Sequence, residues 1–312
     1  MTTERSAHPA LIALGAVGAA GVAAAVWGIG IERYLFTVRE VTAPALSPGS
    51  RPIRVLHVSD AHMAPWQHRK QSWLASLAEL EPDLIVNTGD NLGHRDGLVG
   101  IRRAFAPLAG IPGVFVHGSN DVHAPSPRNP FKYFSGPSKK VREPERLDTG
   151  GMDCFFTDEL GWRAVNNAAV RLEVAGNTLD VFGVDDAHRD WDELGALPEA
   201  LSALGERPAG GSVLGVTHAP YQRVLNSFVD LGADAVFGGH THGGQVCLPG
   251  YGTIVANCDI PLKQAKGLST WSHKGRTVPL NVSAGVGHSV YAPVRFACRP
   301  EVTLLTLTAR SV

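Results

Sequence analysis

Five apolar segments of this sequence each end in side chains that can bind a metal ion, and this recurrence constrains the fold more than any other feature. The first is "VLHVSDAH", in which a β-like run is followed by an Asp and a His two residues apart. The eight residues placed in this way are Asp60, His62, Asp90, Asn120, Asp121, His218, His240 and His242. The carboxyl ends of parallel strands share one edge of a sheet, so these side chains can converge on a single crevice.

Short β-like runs alternate with helix-like stretches along most of the chain, and this pattern predicts an α/β fold. The 35 Gly and 21 Pro favour many short elements joined by tight turns. The predicted strands cover residues 53–58, 83–86, 113–116, 179–184, 213–216, 235–237, 280–282 and 302–307. The predicted helices cover residues 71–80, 98–108, 194–204 and 221–231.

The N-terminus differs in kind, because residues 7–31 contain no Asp, Glu, Lys or Arg. As a helix, this stretch would span about 37 Å, enough to cross a hydrocarbon core of about 30 Å. We predict a tail and single-pass transmembrane helix in residues 1–33, a Pro/Ser/Gly-rich linker in 34–52 and a catalytic domain in 53–312. A cleaved signal peptide with Ala23 and Ala25 at its end is the alternative. The side of the membrane stays open, with Arg33 and Arg39 weakly favouring a cytoplasmic domain.

The donor set predicts hard or intermediate divalent cations rather than a thiolate site. The four cysteines lie far apart with no CxxC spacing, which argues against a zinc knuckle. Carboxylate, imidazole and amide ligands suit Mn, Fe or Zn, and Mg is also compatible. This set of groups exceeds what one ion needs, so we expect two ions that share a bridging carboxylate, an arrangement suited to in-line attack on phosphorus. The net charge of −1 gives no reason to expect nucleic acid as a partner.

The motifs "SDAH", "TGDN", "GSND", "VTHAP" and "GGHTHGG", in this order, resemble those of the calcineurin-like metallophosphoesterases. The resemblance covers residues 53–307, and "GGHTHGGQVCLPG" is similar to a bacterial membrane-associated branch that includes certain UDP-diacylglucosamine pyrophosphohydrolases. It implies a β-sandwich with helices on the outside and a metal-bridging hydroxide that attacks phosphorus. The implied ligands are Asp60, His62 and His242 for the first metal and Asn120, His218 and His240 for the second, with Asp90 as the bridge.

One motif departs from the family pattern G-N-H-D, because this chain has Gly118, Ser119, Asn120 and Asp121 at that place. If Asn120 is the metal ligand, Asp121 stands where the catalytic histidine usually lies. In the other alignment Ser119 replaces the ligand, but a hydroxyl is a poorer ligand than an amide oxygen. The general acid is then either a protonated Asp121 or His123, and we favour His123.

Three further groups are candidates for the site or its surroundings. His288 and Arg295, in "HSVYAPVRF", are candidates to bind a phosphate or an anionic head group, and a surface salt bridge of the arginine is the alternative. The residues Asp185, Asp186 and His188 follow a predicted strand and could order the site. The basic stretch 125–151 could lie against anionic lipid. We expect His57 and His117 to be structural.

These features together predict a membrane-anchored phosphoesterase with two divalent metal ions. Its substrate would carry a phosphomonoester, phosphodiester or pyrophosphate and could be a small molecule, a nucleotide or a lipid presented by the bilayer. The altered "GSND" motif supports an alternative, a membrane sensor or scaffold that binds metal and phosphate with little turnover. The sequence predicts no oligomeric state.

Overall fold

Two six-stranded sheets pack face to face in the computed structural model, which describes residues 9–125, 145–288 and 290–311. The strands of the first sheet are β1 (Thr37–Leu46), β2 (Ile53–Val58), β3 (Leu84–Asn87), β4 (Gly113–Phe115), β5 (Arg163–Ala164) and β14 (Glu301–Ala309). Those of the second are β6 (Ala168–Val174), β7 (Asn177–Gly183), β8 (Ser212–Val216), β9 (Ala235–Gly238), β12 (Gly267–His273) and β13 (Arg276–Val282). A small hairpin joins β10 (Cys247–Leu248) to β11 (Gly252–Thr253).

The strand orders are β1-β14-β2-β3-β4-β5 and β12-β13-β9-β8-β7-β6. The helices are α1 (Pro9–Ala25), α2 (His68–Ser76), α3 (Gly97–Phe105), α4 (Ser119–Val122), α5 (Thr149–Cys154), α6 (Leu197–Ser202) and α7 (Gln222–Asp230). The mixed α/β sandwich with helices outside it confirms the predicted fold class.

Strand β2 shows why its sequence reads as a continuous apolar run. Val55 belongs to the core between the sheets, whereas Leu56 belongs to the core under the outer helices, together with Leu74 of α2 and Phe105 of α3. A strand that is buried on both faces has no polar alternation. The second sheet is covered in the same way, with Phe228 of α7 in the outer core.

The central strands run in parallel, and this places their carboxyl ends together. Strands β2, β3 and β4 are parallel neighbours, as are β7, β8 and β9. The loops that follow these strands therefore lie at one edge of the sandwich. This edge holds the metal-ligand candidates that the sequence predicted.

The predicted linker in residues 34–52 is corrected by the structure, because Thr37–Leu46 forms strand β1. It pairs in parallel with β14 from Thr37↔Glu301 onward, with a register shift between Pro44 and Leu46. Strand β1 is an edge strand, where proline is tolerated because the missing N–H costs no ladder hydrogen bond. Because of its prolines, the stretch 34–52 was predicted as a linker, although it contains a strand whose Ala45 and Leu46 are fully buried.

An apolar helical segment precedes β1. Helix α1 continues into a π-helical turn, Val26–Ile31, and a short 3₁₀ turn, Glu32–Tyr34. Ile12–Tyr34, with 23 residues, is long and apolar enough to cross a membrane, although a signal sequence meets the same test. Most of the basic stretch predicted to contact lipid, residues 126–144, lies outside the described residues.

We predict that a chain beginning at Arg51 is much less stable than one beginning at Glu32, because only the first lacks β1. Loss of the β1 ladder and of buried Leu46 should remove roughly 3 kcal/mol or more of unfolding free energy. The midpoint of thermal unfolding should then fall by roughly 10 °C. Both chains lack the apolar helix, so their comparison isolates the strand. Equal midpoints would show that β1 adds nothing to the domain.

Candidate metal centre

Five of the expected metal ligands have left-handed backbone conformations, which residues with side chains rarely adopt. Their φ angles are 51° for Asp60, 39° for His62, 53° for Asp90, 65° for His240 and 50° for His242. Each such residue costs of order 1–3 kcal/mol, and this kind of strain clusters at functional sites. Sharp turns immediately after the strands aim these side chains into a common space.

The first ligand group consists of Asp60, His62 and His242, whose ligand atoms all lie within 4.8 Å of one another. The two histidine Nε2 atoms are 3.1 Å apart, and His242 Nε2 lies 3.4 Å from Asp60 Oδ1. Two nitrogen ligands at about 2.0–2.1 Å from one ion are separated by roughly 3.0–3.4 Å. The three residues are therefore spaced as ligands of one cation.

Asp60 provides the clearest sign that a cation belongs here. Its Oδ2 accepts hydrogen bonds from the Ser59 hydroxyl and from the backbone N–H of His240, the latter at 3.0 Å. Its Oδ1 is buried and has no hydrogen-bond partner among the described atoms. Burial, reinforced by the charge of Asp90 and opposed by His218, raises the pKa of Asp60 to about 7. A divalent ion would supply both the missing partner and the missing positive charge.

The second ligand group is Asp60, Asp90 and His218, again with ligand atoms within 4.8 Å of one another. Asp90 Oδ2 lies 3.5 Å from His62 Nε2 and 3.6 Å from His218 Nε2, so it is close to a histidine of each group. A Cβ atom at Gly118 would lie 2.2 Å from Asp90 Oδ1, so only glycine leaves room for this carboxylate.

Asn120 and His240 border the second group. The Asn120 backbone N–H donates to Asp90 Oδ1 at 2.8 Å, and its side-chain amide nitrogen lies 2.7 Å from Asp90 Oδ2. His240 Nδ1 is 3.3 Å from His218 Nε2. All seven predicted metal ligands are thus brought together at this edge of the sandwich.

The electrostatics of the cluster indicate unbalanced negative charge. Burial lowers the pKa of His218, but Asp90, Asp186 and Asp60 overcome this effect and raise it to about 9. Burial alone would raise the pKa of Asp90, yet His218, His62 and the Asn120 hydrogen bonds lower it to about 2.

The other imidazoles are held neutral, which is the form that binds metal. Burial, with Lys70, His218 and Arg295 adding to it and Asp90 opposing it, lowers the pKa of His62 to about 4. Burial and neighbouring imidazoles also lower the pKa values of His240 and His242 well below the usual range.

Two histidine rings are oriented by groups behind them. His218 Nδ1 lies 2.7 Å from the Thr88 carbonyl oxygen, to which it donates, and this leaves Nε2 directed at the cluster. Behind His242, the Arg295 guanidinium donates to the ring Nδ1 at 3.2 Å and to the backbone carbonyl at 3.0 Å.

Arg295 is therefore a positioning residue rather than the substrate ligand that the sequence suggested. Its side chain is completely buried. Besides the two contacts with His242, it donates to the carbonyl oxygens of Gly285 at 3.1 Å and of Gly287. A buried guanidinium whose donors are already used by the protein has none to offer a phosphate.

Asp121, the first candidate for the general acid, is also buried and committed to backbone groups. Its Oδ1 accepts from the N–H groups of Asn91 at 2.7 Å and Leu92 at 3.2 Å, and its Oδ2 accepts from that of Gly118 at 3.0 Å. Burial and the charge of Asp90 raise its pKa to about 6. These bonds tie the loop after β3 to the loop after β4, which is a structural task.

The remaining candidates occupy distinct places. His123 is half-buried, with its ring centroid 5.9 Å from that of Trp191. His288 is 7% exposed in the loop after β13. His188 lies against His240, with ring centroids 4.4 Å apart, and bonds Tyr221 Oη at 3.0 Å. The Asp186 carboxylate caps the turn before His188 by accepting its N–H at 2.8 Å.

His57 and His117 have contacts that suit the expected structural roles. His57 lies between the sheets, bonded to Thr88 Oγ1 at 3.0 Å and to Asn281 at 2.7 Å. His117 Nε2 is 2.7 Å from Asp153 Oδ1.

Two residues that support the site gave no signal in the sequence. Lys70, on α2, is 4% exposed and donates to the Ala61 carbonyl at 2.6 Å, between the ligands Asp60 and His62. Thr88 supplies the carbonyl that orients His218. A lysine in a polar helix normally faces solvent, so only the long-range packing identifies this one.

Comparison with known proteins identifies the family. The profile of the calcineurin-like phosphoesterases matches residues 53–244. The uncharacterized metallophosphoesterase YkuE of Bacillus subtilis is 25% identical over 305 residues, covering 93% of each chain. YkoQ of the same organism, also an uncharacterized metallophosphoesterase, is 24% identical over 261 residues, covering 82% of this chain and 84% of its own.

Among solved structures, TT1561 of Thermus thermophilus is similar, with a TM-score of 0.40 and 11% identity over 76% of this chain and 91% of that one. The profile match spans the strand ends that deliver all seven metal-ligand candidates. The chain therefore belongs to the calcineurin-like phosphoesterase family and is a metal-binding phosphoester hydrolase.

Proposed function

We propose that this protein is a membrane-anchored phosphoesterase whose centre holds two divalent metal ions. The observation that carries the proposal is the buried, unpartnered Asp60 Oδ1, which lies 3.4 Å from His242 Nε2 and 3.9 Å from His62 Nε2. Such an oxygen is too costly to leave without a positive partner. Among the described residues, the charged-group nitrogens within 4.0 Å of it belong to these two histidines and to no Lys or Arg.

The ligands divide into two sets. Asp60, His62 and His242 would hold the first ion, and His218, His240 and Asn120 the second. Asp90 would be shared, since its Oδ2 is almost equally distant from His62 and His218. Oxygen and imidazole donors suit Mn, Fe or Zn, and Mg is compatible.

When bound, the two cations neutralise charge on the phosphoryl group and lower the pKa of the attacking water. The chain's own residues prepare the site for them. Thr88 and Arg295 fix the rings of His218 and His242. His218 and His62, together with the Asn120 hydrogen bonds, lower the pKa of Asp90. Such preorganised polar groups need no rearrangement when charge develops at phosphorus.

The proton for the leaving group is assigned to His123. Asp121 occupies the position in "GSND" where a histidine is usual in the family, but its oxygens accept three backbone N–H groups. His123 follows two residues later and remains half-buried beside Trp191.

A substrate presented at the bilayer, with a phosphate linked to a lipid or a nucleotide, fits the position of the apolar helix. The Gly28 carbonyl, at the end of this helix, accepts the backbone N–H of Arg295 at 3.1 Å. Arg295 in turn contacts His242. Only one residue thus separates the membrane segment from a metal ligand.

The alternative of a membrane sensor or scaffold rests on the same "GSND" motif. If His123 supplies no proton, the motif itself offers no acid, because Asp121 is committed to the backbone. The site would then bind metal and phosphate and turn over slowly.

We predict that Asp90→Asn abolishes metal-dependent hydrolysis. The full chain in detergent, stripped and reloaded with Mn, would be assayed with bis-para-nitrophenyl phosphate and para-nitrophenyl phosphate. Loss of the shared carboxylate should lower turnover by about 10³-fold, since two-metal charge stabilisation is worth several kcal/mol. The matched control is Asp96→Asn, whose carboxylate is exposed. An Asp90→Asn variant with full activity and metal content would overturn the assignment. If the wild-type protein binds two metal ions but hydrolyses neither substrate, the result would support the sensor alternative.

A general acid at His123 predicts a leaving-group effect. His123→Gln should slow hydrolysis of an alkyl phosphate by about 10²-fold, the lower range for general acid catalysis. Hydrolysis of para-nitrophenyl phosphate should change much less, because nitrophenolate leaves without a proton. His68→Gln, which alters an exposed histidine, serves as the control. Unchanged rates with both substrates would exclude His123.

A further inference from the structure

A cleft of about 430 Å³ lies at the foot of the apolar helix, on the side of the β10–β11 hairpin. It is separate from the metal ligands, and the chemistry described above does not use it. Its lining includes Trp27, Arg39, Pro249, Lys266, Phe296 and Arg299.

The charges in this cleft favour an anion. Three cationic side chains line it, Arg39, Lys266 and Arg299. The one carboxylate in its lining, Glu32, already accepts the N–H groups of Ala297 and Cys298, at 3.0 and 2.7 Å, and the Trp27 indole N–H at 2.6 Å. The cleft therefore presents more positive charge than its own acid can neutralise.

Arg39 is only partly available, because it is paired with Glu301. Arg299 is exposed, and Lys266 is half-buried with its Nζ 3.8 Å from the Cys298 thiol. Lys266 and Arg299 are thus the two cations best placed to receive an added anion.

The cleft lies where the apolar helix meets the domain. Gly28 is buried there, and a Cβ atom at this position would be 2.9 Å from the Arg295 carbonyl oxygen, so the helix end is packed tightly against the domain. Trp27, 41% exposed, lies at the end of the apolar run and lines the cleft. Tryptophan is enriched where a membrane segment reaches the head groups.

The neighbouring hairpin provides an apolar surface next to these cations. Leu248 is 52% exposed and Tyr251 is 74% exposed, and Pro249 between them lines the cleft. Large apolar side chains beside a basic cleft match a molecule with an anionic head and an apolar tail.

We propose that this cleft binds the phosphate of an anionic phospholipid head group, with the acyl chains lying along the apolar helix and the β10–β11 hairpin. This inference rests on the membrane anchoring of the proposed function, which places the cleft at head-group level. Bound lipid would fix the orientation of the domain on the bilayer and hold the loop around Arg295 at the membrane surface.

The test uses the full chain in a non-ionic detergent and native mass spectrometry. The probes are phosphatidylglycerol, phosphatidylcholine and inorganic phosphate. Removing two cations in Lys266→Gln/Arg299→Gln should weaken phosphatidylglycerol binding by roughly 30-fold, since each cation near the head groups contributes roughly fivefold. The matched control is Arg103→Gln/Arg163→Gln, which removes two exposed cations elsewhere. Equal melting temperatures of the two variants would show that the cleft variant is folded.

Preferential binding of phosphatidylglycerol that is lost only in the cleft variant would support the proposal. Equal binding by both variants, equal retention of phosphatidylcholine, or displacement of the lipid by millimolar phosphate would overturn it. Alkaline extraction of membranes tests the anchor separately. Release of the full chain would refute the anchor and this inference with it, whereas retention without lipid selectivity would refute the cleft site alone.

Discussion

The burial of two carboxylates among four imidazoles is the constraint on which the rest of the molecule depends. Asp60 and Asp90 are 0% and 3% exposed, and the free oxygen of Asp60 has no hydrogen-bond partner in the described protein. An uncompensated buried charge costs more than most single interactions can supply, so added positive charge would stabilise this arrangement. The left-handed backbone at five of the candidate ligands adds conformational strain to that cost. Gly118, which leaves room for Asp90, adds the backbone entropy that a glycine loses on folding. We therefore expect metal binding to stabilise the fold at this site.

The same cluster is tied to the N-terminal apolar segment by a short series of contacts. Gly28 accepts a backbone hydrogen bond from Arg295, and Arg295 braces His242 through the ring and the backbone. Glu32 caps two N–H groups of the same loop. A metal ligand is thus positioned by residues that adjoin the segment able to cross a membrane. This physical link is the structural basis for the proposal that the substrate is met at the bilayer.

Short sequence patterns predicted the buried strands and the residues that directly follow them, because both depend on neighbouring residues in the sequence. The strands that precede the metal ligands are buried on both faces, so their apolar runs were recognised, and the ligands follow directly from the strand ends. Strands β6 and β12 are partly exposed edge elements with mixed composition and gave no such signal. Strand β1 was concealed by Pro44, which an edge position accommodates. Arg295 and Asp121 were expected at the substrate, but Arg295 donates to backbone carbonyls and to the His242 ring, and Asp121 accepts backbone N–H groups, two of them from the loop after β3. Sequence spacing cannot reveal such contacts.

Anomalous diffraction from crystals of the Mn-loaded protein would test the central claim most directly. If two sites share Asp90, the anomalous map should show two manganese peaks about 3.5–4 Å apart, which is the spacing of two-metal hydrolytic centres. One peak should lie among Asp60, His62 and His242, and the other among His218, His240 and Asn120. A single peak at full occupancy, or manganese bound only away from these residues, would contradict the account.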